Sequence, residues 1–117
     1  MCGITGILYA QPAYAVAPEQ LQRMTSVLSH RGPDDDGFYV DGALGLGHRR
    51  LSIIDVEGSR QPILNPDKTR AIVFNGEIYN FKTVRNALLQ RGHHFTTQGD
   101  TEVILRAYEE RSSVAER

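Results

Sequence analysis

The dipeptide Asp41-Gly42 is the sequence feature that most constrains the fold. It stands between two short segments, 38–40 and 43–48, that are rich in aromatic and aliphatic residues. Asp-Gly is typical of the tight turn that joins two neighbouring antiparallel strands. We therefore predict a β-hairpin here, and a fold that contains an antiparallel sheet.

The rest of the chain alternates between predicted strands and helices. The apolar run 2–9 predicts a buried strand, and 70–74 predicts a second strand that stops at Asn75-Gly76. Helices are predicted from Pro18 to the Gly32-Pro33 break, from Asn80 to Gly92, and from Asp100 onward. A turn is predicted at 34–37 and a short strand at 93–97. The predicted class is α+β.

Each predicted helix has one apolar face. These faces consist of Leu21, Met24 and Leu28 in the first helix, Val84, Ala87 and Leu88 in the second, and Val103, Ile104, Ala107 and Tyr108 in the third.

Size and composition exclude several classes of protein. A chain of 117 residues forms at most one domain. Its 13 Lys and Arg balance 14 Asp and Glu without a basic block, so we expect no nucleic-acid partner. No apolar stretch suits a membrane span or a secretory signal, and we expect a cytoplasmic protein without a membrane partner. The four histidines lack zinc-site spacing, so no metal site is predicted.

Cys2 is the only cysteine and follows the initiator Met1. Removal of Met1 would give a terminal residue that carries both a thiol nucleophile and an α-amine able to act as its base. That combination is the design of an N-terminal-nucleophile hydrolase. A stray thiol on a loose terminus, or a small apolar core residue, would satisfy the same position.

Five motifs follow one another along the chain. They are Cys2; Arg31-Gly32-Pro33-Asp34 with Gly37; His48-Arg49-Arg50-Leu51-Ser52-Ile53-Ile54-Asp55; Asn75-Gly76-Glu77-Ile78-Tyr79-Asn80; and Gly99-Asp100-Thr101-Glu102. In this order and spacing the chain resembles the glutaminase domain of class II glutamine amidotransferases, in the branch of the glutamine-hydrolysing asparagine synthetases. The resemblance implies a four-layer αββα sandwich of antiparallel sheets, which we expect to be incomplete in this chain.

The resemblance also implies a set of site residues. Cys2 would attack the side-chain amide of L-glutamine, while the Asn75 amide and the Gly76 backbone N–H stabilise the oxyanion. Asn-Gly is equally a common hairpin turn. The remaining glutamine-binding positions would be Arg50, Leu51, Ser52, Ile53, Ile54, Glu77 and Asp100.

Two of these assignments have alternatives in the sequence itself. Adjacent strand residues face opposite sides, so only one of Arg49 and Arg50 can point into a pocket, and Arg50 matches the family position. It would grip the substrate carboxylate, and Asp100 would meet the ammonium. Asp100 could instead be an ordinary helix cap, or serve both purposes.

The resemblance further implies what lies outside residues 1–117. We expect the chain to be the N-terminal part of a glutaminase domain that needs no cofactor. A C-terminal synthetase domain would use ATP and Mg²⁺ to convert aspartate to asparagine, and that domain or another chain would complete the fold. Two other possibilities are a non-catalytic, regulatory glutamine-binding module and an amidotransferase with a different ammonia acceptor.

Overall fold

The computed structural model describes residues 2–51 and 60–115, with side chains described up to residue 112. Its elements, in chain order, are β1 (Gly3–Leu8), α1 (Pro18–Ser26), β2 (Asp35–Asp41), β3 (Leu44–Arg50), β4 (Ile63–Leu64), β5 (Ala71–Ile72), α2 (Phe81–Gln90) and α3 (Thr101–Ala115). The described residues therefore form an α+β structure with antiparallel sheets, as predicted. None of the described helices is long and apolar enough to cross a membrane.

The described residues fall into two compact units. The first unit contains residues 2–51, 60–62 and 73–75, and the second contains 63–72 and 76–115. The first holds a three-stranded sheet with α1, and the second holds the β4–β5 pair with α2 and α3.

The sheet of the first unit has the strand order β1-β3-β2, and both strand pairs are antiparallel. Helix α1 packs on one face of this sheet, where Leu21 is fully buried. The helix can approach because β3 has glycines under it. A Cβ on Gly47 would stand 2.3 Å from the Thr25 hydroxyl oxygen and 2.4 Å from that of Thr5. Those two hydroxyls hydrogen-bond each other at 2.8 Å.

The predicted hairpin is confirmed, although its turn lies one residue later than expected. Asp41 pairs with Leu44, so Gly42 and Ala43 form the two-residue turn. Gly42 has φ of +55°, a conformation that a residue without a Cβ adopts readily.

Three further predictions for the first unit were wrong. Residues 35–37, predicted as a turn, belong to strand β2. Strand β1 is an edge strand that buries only one face, and Leu8 is 77% exposed on the other. Helix α1 ends at Ser26, before the predicted Gly32 cap, and Gly32 does not have a positive φ. A Cβ there would lie 2.5 Å from the Arg49 carbonyl carbon, so Gly32 serves close approach rather than helix termination.

The second unit packs α2 against α3 and α3 against β5. Its buried apolar side chains are Ile63, Leu88, Val103 and Leu105. Helix α2 ends where Gly92, with φ of +92°, follows it, which confirms the predicted end. Asn80 occupies the predicted N-cap position, but its side chain makes no capping hydrogen bond.

Other predictions for the second unit need correction. Only Ala71–Ile72 of the predicted 70–74 strand is a strand, and the described segment 93–97 contains none. Ala87 is exposed, and so is Tyr108, at 60%. The buried face of α3 instead includes Glu102 and Arg106, a charged pair that apolar periodicity could not reveal.

Candidate active site

The pairing of β1 with β3 brings Cys2 and Arg50 to the same end of these two strands. Cys2 immediately precedes β1, whose first residue, Gly3, pairs with Arg49, and Arg50 is the last residue of β3. Cys2 is half-buried and is a free thiol. A residue with a thiol and a residue with a guanidinium group therefore lie at adjacent strand ends, next to the paired residues Gly3 and Arg49.

The two adjacent arginines have different surroundings. The Arg49 Nε donates to the Gly32 carbonyl oxygen at 2.7 Å, and its Nη1 lies 3.3 Å from a carboxylate oxygen of Asp36. Arg50 follows it on the strand and therefore faces the other side of the sheet. The Arg50 carbonyl accepts the Asp34 N–H at 3.1 Å, which fixes its backbone. Arg49 thus has a structural role, and Arg50 lies on the opposite face of the sheet, together with His48.

His48, which sequence reasoning left without a role, shares the sheet face of Arg50. It is 2% exposed, and its ring hydrogen-bonds the backbone of Phe74. Because that bond raises the pKa, the ring N–H donates to the Phe74 carbonyl. Among the described residues, Nε2 has no hydrogen-bond partner.

Burial is the largest influence on the His48 ring and lowers its pKa. The Phe74 carbonyl and Asp35 act against this, while Arg50 adds to the lowering. The net direction is downward, so the ring is neutral at pH 7. A neutral ring can donate one proton to Phe74 without placing a buried positive charge beside Arg50.

Gln61 holds the other backbone group of Phe74. Its Oε1 accepts the Phe74 N–H at 2.6 Å, while its own backbone lies against Gly37 of β2. A Cβ on Gly37 would come within 1.8 Å of the Gln61 carbonyl oxygen, so only glycine permits this packing. Both backbone groups of Phe74 are therefore fixed immediately before Asn75, whose side chain is exposed.

The second unit contains the other three predicted site residues that the structure describes. Gly76 and Glu77 are exposed, and the next residue, Ile78, donates its N–H to Oδ2 of Asp100 at 2.9 Å. Oδ1 of Asp100 lies 3.5 Å from the Thr101 hydroxyl. The Asp100 carboxylate thus ties the segment that follows Asn75 to the start of α3.

The predicted site residues are therefore distributed as follows. Cys2, Arg50, Leu51 and Asn75 belong to the first unit, and Gly76, Glu77 and Asp100 belong to the second. Ser52, Ile53 and Ile54 lie outside the described residues. Sequence reasoning missed His48, Gln61 and Glu102. The signal for His48 was its position two residues before Arg50, which places both on one face of a strand.

Comparison with known proteins gives the same family as the motifs. Residues 1–115 match the family described as "Glutamine amidotransferase domain". Glutamine-hydrolyzing asparagine synthetase 1 of Bacillus subtilis is 44% identical over 110 residues, which cover 92% of this chain and 17% of the relative. A probable glutamine-hydrolyzing asparagine synthetase of Dictyostelium discoideum is 41% identical over 112 residues, covering 95% of this chain and 20% of the relative.

A third relative extends the similarity to plants. Glutamine-hydrolyzing asparagine synthetase 1 of Arabidopsis thaliana is 40% identical over 110 residues, covering 94% of this chain and 18% of the relative. The chain thus spans a fifth or less of the length of these relatives. The matched segment contains every motif from Cys2 to Glu102. The chain therefore belongs to the glutamine amidotransferase domain family.

Proposed function

We propose that this protein hydrolyses the side-chain amide of L-glutamine, with Cys2 as the nucleophile after removal of Met1. The observation that carries the proposal is the position of Cys2, a free cysteine that immediately precedes β1, at the end of the β1–β3 pair where β3 ends with Arg50, in a chain that belongs to this family. The thiol sulfur attacks the amide carbon, and the α-amine of Cys2 takes the thiol proton and gives it to the departing nitrogen. Ammonia leaves, and water hydrolyses the γ-glutamyl thioester to glutamate, which restores the thiol.

The tetrahedral intermediate of this reaction carries an oxyanion that requires hydrogen-bond donors. We assign this role to the Asn75 side-chain amide and the Gly76 backbone N–H. The rigid attachment of Phe74 through His48 and Gln61 supports the assignment, because donors to a transition state must be held in place before it forms.

We assign two residues to the charged α-carboxylate and α-ammonium groups of glutamine. Arg50 binds the α-carboxylate as a charge-assisted fork, and Asp100 receives the α-ammonium through the oxygen that Ile78 does not occupy. The other positions assigned to the glutamine pocket are Leu51, Ser52, Ile53, Ile54 and Glu77.

We also propose that the three-stranded sheet is one layer of a four-layer αββα sandwich and that residues 1–117 are the N-terminal part of a glutaminase domain. The support is the sheet face opposite α1. Ile4 and Leu8 point to that face and are 47% and 77% exposed, which leaves apolar surface that a second sheet would cover.

The names of the relatives suggest the fate of the ammonia. We propose that it passes to a synthetase domain, or to a partner chain with that function, which uses ATP and Mg²⁺ to make asparagine from aspartate. The free thiol that the mechanism needs favours a reducing, cytoplasmic location.

The experiment is active-site labelling followed by mass spectrometry. The protein is incubated with a diazo-ketone analogue of glutamine, with and without excess glutamine, and the intact mass and modified peptide are determined. We expect a mass that lacks Met1 and one adduct on Cys2 that glutamine prevents. An adduct elsewhere, or one that glutamine does not reduce, would rule out the assignment.

The matched variant for this experiment is Cys2→Ser. It should lose the adduct and nearly all ammonia release while still binding glutamine, because a hydroxyl is a weaker nucleophile in an unchanged pocket. Ammonia release at the wild-type rate would contradict the role given to Cys2. Glutamine binding without ammonia release in the wild type would indicate a non-catalytic binding module instead.

A further inference from the structure

Glu102 is a buried carboxylate in the first turn of α3, two residues after Asp100, and none of its surface is exposed. The carboxylate accepts the Thr96 N–H at 3.0 and 3.1 Å and the Thr97 N–H at 2.7 Å. The Thr97 hydroxyl donates to it at 2.9 Å and the Thr96 hydroxyl at 3.3 Å. One side chain therefore provides the hydrogen bonds that a neighbouring strand would otherwise give to this segment.

A second buried charge balances this carboxylate. Nη2 of Arg106, one turn further along α3, donates to Oε2 of Glu102 at 3.0 Å, and Arg106 is 4% exposed. Burial by itself raises the pKa of Glu102, but the bonds from Thr96, Thr97 and Arg106 outweigh it and the net direction is downward. The group is thus ionised at neutral pH and accepts hydrogen bonds only.

These contacts restrict the segment that carries Asp100. Thr96 and Thr97 are bound to Glu102, and α3 begins at Thr101, so residues 98–100 span two fixed points. Asp100 in turn holds the Ile78 N–H at 2.9 Å. Within the second unit, Glu102 is therefore linked to Thr96 and Thr97 by hydrogen bonds, these to Asp100 by three residues of chain, and Asp100 to Ile78 by a hydrogen bond.

We propose that Glu102 is a positioning residue, which sets the place of Asp100 and, through the Asp100–Ile78 bond, the conformation of residues 76–78. The effect of this positioning on substrate recognition rests on the proposed function, in which Asp100 receives the glutamine ammonium and Gly76 donates to the oxyanion. Neutralising Glu102 would therefore disturb glutamine binding without removing any group that touches glutamine.

The test compares Glu102→Gln with Glu109→Gln. Both substitutions remove one negative charge from α3 and one ion pair with Arg106, but only Glu102 contacts Thr96 and Thr97. Amide-resolved hydrogen exchange is measured at Ile78, Thr96 and Thr97, with the amides of α2 as a reference for global stability. The glutamine concentration that halves Cys2 labelling is measured on the same samples.

We expect exchange at Ile78 to be about tenfold faster in Glu102→Gln and within twofold of wild type in Glu109→Gln, while α2 keeps its rates. The half-protecting glutamine concentration should rise about tenfold in Glu102→Gln alone. If Ile78 exchange stays unchanged, or accelerates only together with α2, the positioning role is overturned. Faster local exchange with an unchanged glutamine requirement overturns the part of the proposal that concerns glutamine recognition.

The test also covers a variant that does not fold and a wild-type protein that cannot be labelled. If Glu102→Gln does not fold, Thr97→Val removes only the 2.9 Å hydroxyl bond, and Ile78 exchange should then be about threefold faster. If wild-type Cys2 cannot be labelled, the proposed function fails, while the exchange comparison still decides whether Glu102 positions Asp100.

Discussion

At the scale of single residues, Arg49 and Arg50 show how neighbours of one type acquire different roles. Sequence alone favoured Arg50 only through its family position, because alternation on a strand separates the two side chains without saying which one faces a substrate. The bonds of Arg49 to Gly32 and Asp36 supply the missing information. They fix Arg49 on the face of the sheet that does not carry His48 and Arg50.

This difference predicts opposite effects of two alanine substitutions. Arg50→Ala should raise the half-protecting glutamine concentration about tenfold or more, because a charge-assisted contact contributes about 1.5 to 3 kcal/mol. Arg49→Ala should leave that concentration within twofold but lower the free energy of unfolding by about 1 to 3 kcal/mol, because the Gly32 carbonyl loses its donor. Labelling competition and urea unfolding give the two quantities. The reverse pattern would mean that Arg49 is the substrate ligand.

At the scale of elements, the contact between α1 and β3 depends on glycine. Gly47 faces α1, and its missing Cβ makes room for the hydroxyls of Thr5 and Thr25, which bond each other. Gly6 belongs to the neighbouring strand β1 but faces the other way. A Cβ there would meet nothing nearer than 3.7 Å.

We therefore expect Gly47→Ala to lower the free energy of unfolding by about 1 to 3 kcal/mol through overpacking. Gly6→Ala should change it by less than about 0.5 kcal/mol, since the contact is ordinary and the substitution restricts the unfolded chain. Urea unfolding of both variants measures the difference. Equal destabilisation by the two substitutions would show that these glycines are required for backbone conformation, and that the close approach of α1 is not the reason for Gly47.

At the scale of the whole molecule, two buried groups make stability depend on pH in the same direction. Burial lowers the pKa of His48, so the unfolded chain binds more protons below about 6.5 and acid favours unfolding. The pKa of Glu102 is also lowered on balance, because hydrogen bonds outweigh its burial. The contribution of Glu102 to the free energy of unfolding is complete above about pH 4.3. It is lost as the pH falls through the pKa of Glu102 in the folded protein.

The free energy of unfolding should therefore fall in two steps on acidification, first below about pH 6.5 and again below about pH 4.3. His48→Gln keeps a donor for the Phe74 carbonyl but cannot titrate, so the first step should shrink in this variant while the second remains. Urea unfolding between pH 7.5 and 3.5, on both proteins, measures the two steps. An unchanged first step would assign it to a group other than His48.

Local patterns along the chain were enough to predict the class of the fold, the hairpin and the starts of the three described helices, and they supplied the order of the motifs. These depend on local chemistry, such as glycine at a turn, proline at a helix start and polar residues at helix ends. The remaining features depend on tertiary contacts. The neutral His48 under Phe74 and the glycines beneath α1 depend on residues far apart in the chain. Glu102 and Arg106 are only one helical turn apart, but their burial depends on how α3 packs in the second unit. Apolar periodicity carries no information about polar groups that are buried because other polar groups satisfy them.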